Sequence, residues 1–275
     1  MADDWSEDAT RRAKASLIDT TVPNAARVID YLYGGQDNFE ADRRAARALA
    51  TTAPGIEAIA PAVRGFQRRV LRFLVTEAGI RQFLDIGTGL PLVGSTHEIT
   101  QSLAPECRVV YTDNDPMVLS HARALLKSLP SGAVGYVDAD VRDPGRIVAG
   151  ARATLDLGQP VAVLLLFSLA YVTDTAQAAA VVAELAAAVP PGSYVAVYHL
   201  AAGLDTELEA AAREWNRMLP AQPLTLRSGP EIADFVAGLD PVPPGLVPVT
   251  QWRPDTADAQ PAKPVPVYGI VASKS

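Results

Sequence analysis

Residues 160–172, PVAVLLLFSLAYV, constrain the fold more than any other stretch of the chain. A strand that is apolar at successive positions has no face to offer water, so it must be covered on both sides, as in the middle of a parallel sheet with helices packed above and below. The run is well short of the ~20 apolar residues a membrane helix needs, and Ser168 interrupts it. Its neighbours agree. QFLDIG, RVVYTDND, AVGYVDADV and SYVAVYHL read as further short strands, each followed or preceded by a helix-sized segment. Strands alternating with helices predict a doubly wound α/β sheet.

The two ends of the chain depart from this alternation. Ala25, Val28, Ile29 and Leu32 share one helical face, and Gly34-Gly35 supplies a left-handed stop. Asp37 or Asn38 then caps a second helix through Ala48, ended by Pro54-Gly55, and Val63, Phe66, Val70, Phe73 and Leu74 mark a third, ended by Gly79. Residues 1–60 thus read as an N-terminal helical extension, and 61–275 as one globular unit. Near the C-terminus, helices around Trp215 and Phe235 precede LVPVTQWRPD and VPVYGIVAS, two strands joined by the polar loop TADAQPAKP with no helix between them. Such a pair is expected to lie antiparallel at an edge of the sheet.

Composition narrows the classes of function. A net charge of −7 with no cluster of Lys or Arg argues against a phosphate-neutralising nucleic-acid face. Cys107 is the single cysteine, so neither an intramolecular disulfide nor a cysteine zinc cage is possible, and no His/Asp/Glu set has metal-ligand spacing. MADDWSEDATRRAKAS lacks the apolar core of a secretory signal. The expectation is a soluble cytoplasmic protein whose oligomeric state these features leave open.

In FLDIGTGLPLVGSTHEI, residues 83–99, an apolar strand runs into glycines and then towards a helix. Such a turn offers backbone N–H groups to triphosphates, dinucleotides or S-adenosylmethionine. A phosphate-binding loop needs a Gly-Lys pair, which is missing here. A dinucleotide fingerprint laid on Gly87 and Gly89 needs a third glycine where the chain has Leu92, and a short-chain dehydrogenase needs Tyr-x-x-x-Lys, whereas Tyr194 is followed by Tyr198. Asp85, just before the glycines, repels a pyrophosphate but suits a sulfonium and an ammonium group.

On the motif Asp85-x-Gly87-Thr88-Gly89 the chain resembles class I S-adenosylmethionine-dependent methyltransferases, with their Rossmann-like seven-stranded sheet. Later stations follow in the expected order. Asp113, with Asn114 beside it, ends the second strand 24 residues after Gly89, where a carboxylate accepts hydrogen bonds from ribose hydroxyls. Asp140 and Val141 stand where the methyltransferase pattern reads adenine, and Phe167 lies in the fourth-strand motif that faces the methyl group. ARVIDYLYGGQDNFEADRRAA, FLDIGTGLP, YTDNDPMVL and GLVPVTQWRPD together are similar to an actinobacterial family of S-adenosyl methyltransferases first catalogued as a domain of unknown function, over nearly the whole chain. The resemblance implies S-adenosylmethionine as cofactor and brings no acceptor. It also marks a departure, because Tyr171 stands where a histidine is expected after the fourth strand.

Two groups are candidates for acid–base chemistry: His199, at the end of the fifth strand, and Tyr171. YLYGGQDNF reads either as a helix stop and start or as part of a lid over the ligand edge of the sheet, with Tyr31, Gly34 or Asn38 touching cofactor or acceptor. His121 reads as a surface residue and His97 as a structural one. The expected activity is methyl transfer to a small molecule. A non-catalytic sensor of S-adenosylmethionine or S-adenosylhomocysteine is the second reading, favoured by the missing histidine at 171, and a nicotinamide oxidoreductase is the third.

Overall fold

The computed structural model describes residues 18–91, 94–125, 127–254 and 264–275. The acidic N-terminal stretch, Leu92 and all but the last residue of TADAQPAKP lie outside them. Three helices come first: α1 (Ala25–Leu32), α2 (Glu40–Thr52) and α3 (Ile59–Thr76). The alternating part follows as β1 (Gln82–Ile86), α4 (Thr96–Leu103), β2 (Arg108–Asp113), α5 (Pro116–Leu125), β3 (Ala133–Asp138), α6 (Pro144–Ala151), β4 (Ala162–Leu166), α7 (Thr175–Ala187) and β5 (Tyr194–Leu200). The chain closes with α8 (Thr206–Met218), α9 (Gly229–Ala233) and the short β6 (Asp240–Pro241) and β7 (Val247–Pro248), then β8 (Val267–Ser273).

Strands lie in the order β3-β2-β1-β4-β5-β8-β6, with β7 also paired to β8. β1 to β5 are parallel, and β8 runs antiparallel to β5. Of the expected C-terminal pair, VPVYGIVAS forms β8, but LVPVTQWRPD contributes only the two residues of β7 before a 3-10 turn at Val249–Gln251. β6 pairs with Ser273 and Ala272, and β7 with Gly269 and Tyr268, so two segments share the outer side of β8. Eight strands therefore occupy seven positions.

Alternation along each strand sorts the core into two layers. Phe83, Ala162, Leu164, Ala196, Tyr198 and Leu200 face α3 and the other helices on one side, whereas Leu84, Val163, Leu165, Val195 and Val197 face α6 and α7. β4 is covered on both sides, as its sequence requires. The apolar run is not one long strand, however. It leaves the sheet at Phe167, whose φ of 83° is left-handed, and Ser168–Tyr171 form a 3-10 turn.

The start of α2 also differs from expectation. Phe39 occupies the N-cap, and Asp42 Oδ2 accepts its backbone N–H at 2.8 Å. The same carboxylate oxygen pairs with Arg27 Nε of α1 at 2.8 Å, with both side chains buried. Asn38 instead donates to Asp30 Oδ2 at 2.8 Å. A buried ion pair thus joins the first two helices, and the cap is built from inside the helix.

Candidate functional site

The order of strands reverses between β1 and β4, and the carboxyl ends of parallel strands at such a switch point leave a crevice. After β1 the backbone turns through Gly87 (φ 72°) and Gly89 (φ 69°), a conformation costing a non-glycine residue about 1–2 kcal/mol. At Gly87 there is also no room, because a Cβ would lie 2.4 Å from that of Ser168 in the turn after β4. A Cβ on Gly89 would meet nothing within 4 Å. Gly87 lets two loops touch, and Gly89 leaves backbone exposed beside the crevice.

Asp113, at the end of β2, closes this turn. Its Oδ2 accepts Gly89 N–H at 2.9 Å and its Oδ1 accepts Asp115 N–H at 2.9 Å. Burial nevertheless pushes its carboxyl up to about 6, against the lowering effect of those two N–H groups. Asp115 caps α5 through Met117 N–H at 2.8 Å.

The crevice opens into a cavity of about 1350 Å³, solvent mouth included. Gly87, Thr88, Gly89, Asp113, Asn114, Asp140, Val141, Phe167 and Tyr171, all expected in the site, line it together. Asp140 is held in a bidentate pair by Arg142, Nε to Oδ1 at 2.8 Å and Nη2 to Oδ2 at 2.7 Å, and also accepts Asn114 Nδ2 at 2.9 Å. The Arg142 hydrogen bond holds its carboxyl below the usual range, against desolvation.

Asp85 is off the lining. It lies behind the glycine turn, where its Oδ2 accepts Thr96 Oγ1 at 2.6 Å at the start of α4. Burial lifts its carboxyl to about 6, with Asp113 contributing in the same direction and the Thr96 bond opposing. Asp85 therefore ties the strand to the helix and contributes at most a field to the cavity.

The N-terminal segment reaches the cavity, though through other residues than expected. Tyr31, Gly34 and Asn38 do not line it, whereas Ala25, Ile29, Asp30 and Tyr33 do. Asp30 is buried, and desolvation raises its carboxyl while Asn38 opposes. A Cβ on Gly35 would fall 1.9 Å from Asp30 Oδ1, so the second glycine of YGG makes room for this carboxylate. That glycine pair was the signal in the sequence. Gln222, from the loop after α8, and Ser168 complete the wall. Ser168 Oγ is buried without a hydrogen-bond partner.

Both acid–base candidates change character. His199 follows Tyr198 in β5 and so points to the opposite face of the sheet, fully buried against Phe235 at 6.0 Å. Its Nδ1 meets Leu200 O and its Nε2 meets Arg227 Nη1, both at 2.8 Å. A nitrogen facing a carbonyl must carry the proton, so Nε2 is the acceptor, and its lone pair is taken by the guanidinium. Burial lowers its pKa to about 4. Tyr171 does line the cavity, edge-on to Phe167 at 5.4 Å. Burial raises its hydroxyl, so it stays a neutral phenol. His97 is buried and structural, its backbone N–H and Nδ1 both against Tyr111 Oη. His121 Nδ1 lies 3.3 Å from Asp37 Oδ2, so α5 contacts the N-terminal segment there.

A cavity with carboxylates from Asp30, Asp113, Asp115 and Asp140, whose one lysine or arginine among the described lining residues is already clasped by Asp140, suits a ligand bearing cationic and hydroxyl groups and disfavours a pyrophosphate. A family model described as S-adenosyl methyltransferase matches residues 11–275. The chain belongs to this S-adenosyl methyltransferase family. Two solved structures are similar throughout. A DUF574 family protein from Streptomyces avermitilis is 41% identical, with a TM-score of 0.88 over 94% of this chain and 99% of that one. A protein from Thermobifida fusca, named as a candidate methyltransferase, is 38% identical, with a TM-score of 0.85 over 94% of this chain and 97% of that one. An O-methyltransferase family protein from Burkholderia thailandensis, 16% identical over 99% of this chain and 68% of its own, shares the fold at a TM-score of 0.53. No curated protein matches the chain. Among the described residues of this methyltransferase, no helix is long and apolar enough to cross a membrane, and no group of three or more His, Cys, Asp and Glu could hold a metal ion.

Proposed function

We propose that the chain binds S-adenosylmethionine in the carboxylate-lined cavity and transfers its methyl group to a small-molecule acceptor. The observation that carries this reading is Asp113, at the end of β2, hydrogen-bonded to the glycine turn and facing the cavity. Its carboxylate would accept the ribose hydroxyls, and Asp140 and Val141 would meet the adenine. Asp30 would face the ammonium group, and the unpartnered Ser168 hydroxyl has hydrogen-bonding capacity to offer a ligand.

When bound, S-adenosylmethionine supplies a methyl carbon to the acceptor's lone pair while the carbon–sulfur pair passes to sulfur. The chain's own part is to orient and to exclude water, because the leaving sulfur needs no proton. Neither Tyr171 nor His199 is disposed to act as a base, so the proton of an acceptor hydroxyl would leave to solvent. Residues 1–60 act as a lid in this reading, through α1, which brings Asp30 to the ammonium group, and 61–275 hold the rest of the cofactor.

Isothermal titration with S-adenosylmethionine, S-adenosylhomocysteine and NADH tests the assignment, with Asp113→Ala alongside. Binding of the two adenosyl ligands, lost in the variant, is expected. Failure of both to bind, or tight binding of NADH, overturns it. Adenosyl binding without turnover against cellular metabolites would instead leave a sensor.

A further inference from the structure

A second chamber adjoins the cofactor cavity, about 590 Å³ with its mouth included. The two share Ile29, Tyr33, Phe167 and Tyr198. Its floor is Phe167, Tyr198 and Leu200 at the carboxyl ends of β4 and β5. One wall comes from α2 and the 3-10 turn after it (Leu49, Ile56), the other from α8 (Leu208, Ala212, Trp215).

Among the described residues, the lining contains no acidic, basic or amide side chain. Its polar atoms are few. Trp215 Nε1 donates to Gln222 O at 2.8 Å, and the hydroxyls of Tyr33 and Tyr198 lie close together at the junction with the cofactor cavity. Arg64 lies over the Tyr33 ring, 5.8 Å from its centroid, and is outside the lining. A charged group in the chamber would lose its hydration with no partner in the described lining to replace it, which an apolar site disfavours.

Phe167 adds a second observation. It holds a left-handed backbone at the boundary, where its ring lies 5.4 Å from Tyr171 and 6.2 Å from Tyr198. Strained non-glycine residues of this kind persist where the surrounding structure over-determines them, often at ligand clamps. The strain places an aromatic face between the two compartments.

Resting on the methyltransferase reading, we propose that this chamber receives the methyl acceptor, and that the acceptor is an uncharged, one- or two-ring aromatic molecule. Its polar substituent points back to the Tyr33–Tyr198 pair and the cofactor cavity. The apolar walls select a neutral body, and the two hydroxyls select a single hydrogen-bonding group.

The test uses 2-naphthol, with 2-naphthoate as its charged counterpart, titrated calorimetrically into protein saturated with S-adenosylhomocysteine. Ala212→Trp and Ile56→Trp fill the chamber from opposite walls, at positions that are only partly buried and outside the cofactor lining. The expected result is binding of 2-naphthol, with naphthoate at least about tenfold weaker, equivalent to ~1.4 kcal/mol. Both variants should lose naphthol by a similar factor while S-adenosylhomocysteine affinity changes by less than about twofold. Equal binding of naphthoate, no binding of naphthol, or naphthol binding that survives in both variants overturns the proposal. If S-adenosylhomocysteine itself does not bind, the cofactor reading fails, and the same titration on ligand-free protein still reports on the chamber.

Discussion

Asp113 and Asp85 are both buried carboxyls raised to about 6, yet they answer different questions. Asp113 faces the cavity, and on the proposed reading it must be ionised to accept two ribose hydroxyls. Protonation therefore competes with ligand, and S-adenosylhomocysteine affinity should fall about tenfold between pH 7 and pH 5, by linkage. Asp30, also raised by burial, adds to the same trend. Calorimetry across that range checks it, and Asp113→Asn should bind weakly with a flatter profile. A wild-type affinity independent of pH would remove Asp113 from the ligand. Asp85 concerns stability instead. Its folded value lies above the 3.8 of a free carboxyl, so the folded state binds more protons between about pH 4 and pH 6. The cost of burying the charge is absent below that window and fully present above it. Asp85→Asn keeps an acceptor for Thr96 Oγ1 while shedding the charge, so it should melt higher than wild type at pH 8. The advantage should shrink as the pH approaches 4, and an unchanged melting difference across the range would contradict the burial argument.

At the scale of elements, the turn after β4 is held from behind. Arg227 is fully buried and donates to Leu169 O at 2.9 Å, to Val172 O, to Thr175 Oγ1 at 3.2 Å and to His199 Nε2 at 2.8 Å. It thereby fixes both ends of the segment that carries Ser168 and Tyr171. Arg227→Met would leave two buried carbonyls without these donors, at about 1–3 kcal/mol each. The variant should unfold at lower denaturant and bind S-adenosylhomocysteine more weakly, and unchanged stability would show that water replaces the guanidinium. This element also shows what sequence could and could not reveal. The glycine turn and the Asp113 strand end were legible because their chemistry is local, each a few residues long and set by backbone conformation. The apolar run after Pro160 was overextended, since nothing in its hydropathy marks Phe167 as left-handed. His199 was misassigned although period-two alternation already separates it from Tyr198. Asp30 was reachable through the glycine pair that makes room for it. Ser168 and Gln222 were not, because their meeting depends on the packing of segments far apart in the chain.

The same long-range packing determines how the whole molecule admits a ligand. α1 covers the cofactor cavity and is tied across it by two hydrogen bonds, Asn24 Nδ2 to Asp115 Oδ2 and the Ala25 N–H to Gln222 Oε1, both 2.8 Å. Neither bond belongs to the sheet. Asp115 donates its own N–H to Asp113, so the latch ends two residues from the proposed ribose site. A ligand that enters past α1 requires the latch to open and reform. Its parts are partly buried hydrogen bonds, of about 0.5–1.5 kcal/mol for neutral pairs and more with a carboxylate. Opening is therefore expected at a free energy far below that of global unfolding. Hydrogen exchange should find α1 less protected than β1, β4 and β5, and S-adenosylhomocysteine should slow exchange in residues 25–34 specifically. Asn24→Ala removes the tie to Asp115 together with the N-cap that Asn24 Oδ1 gives the Arg27 N–H, so it should speed exchange in the free protein. It should also raise both the association and the dissociation rates of the ligand, leaving the equilibrium constant less affected than either. If α1 exchanges as slowly as the central strands, with or without ligand, the N-terminal helices are fixed walls, and entry must use another side of the cavity.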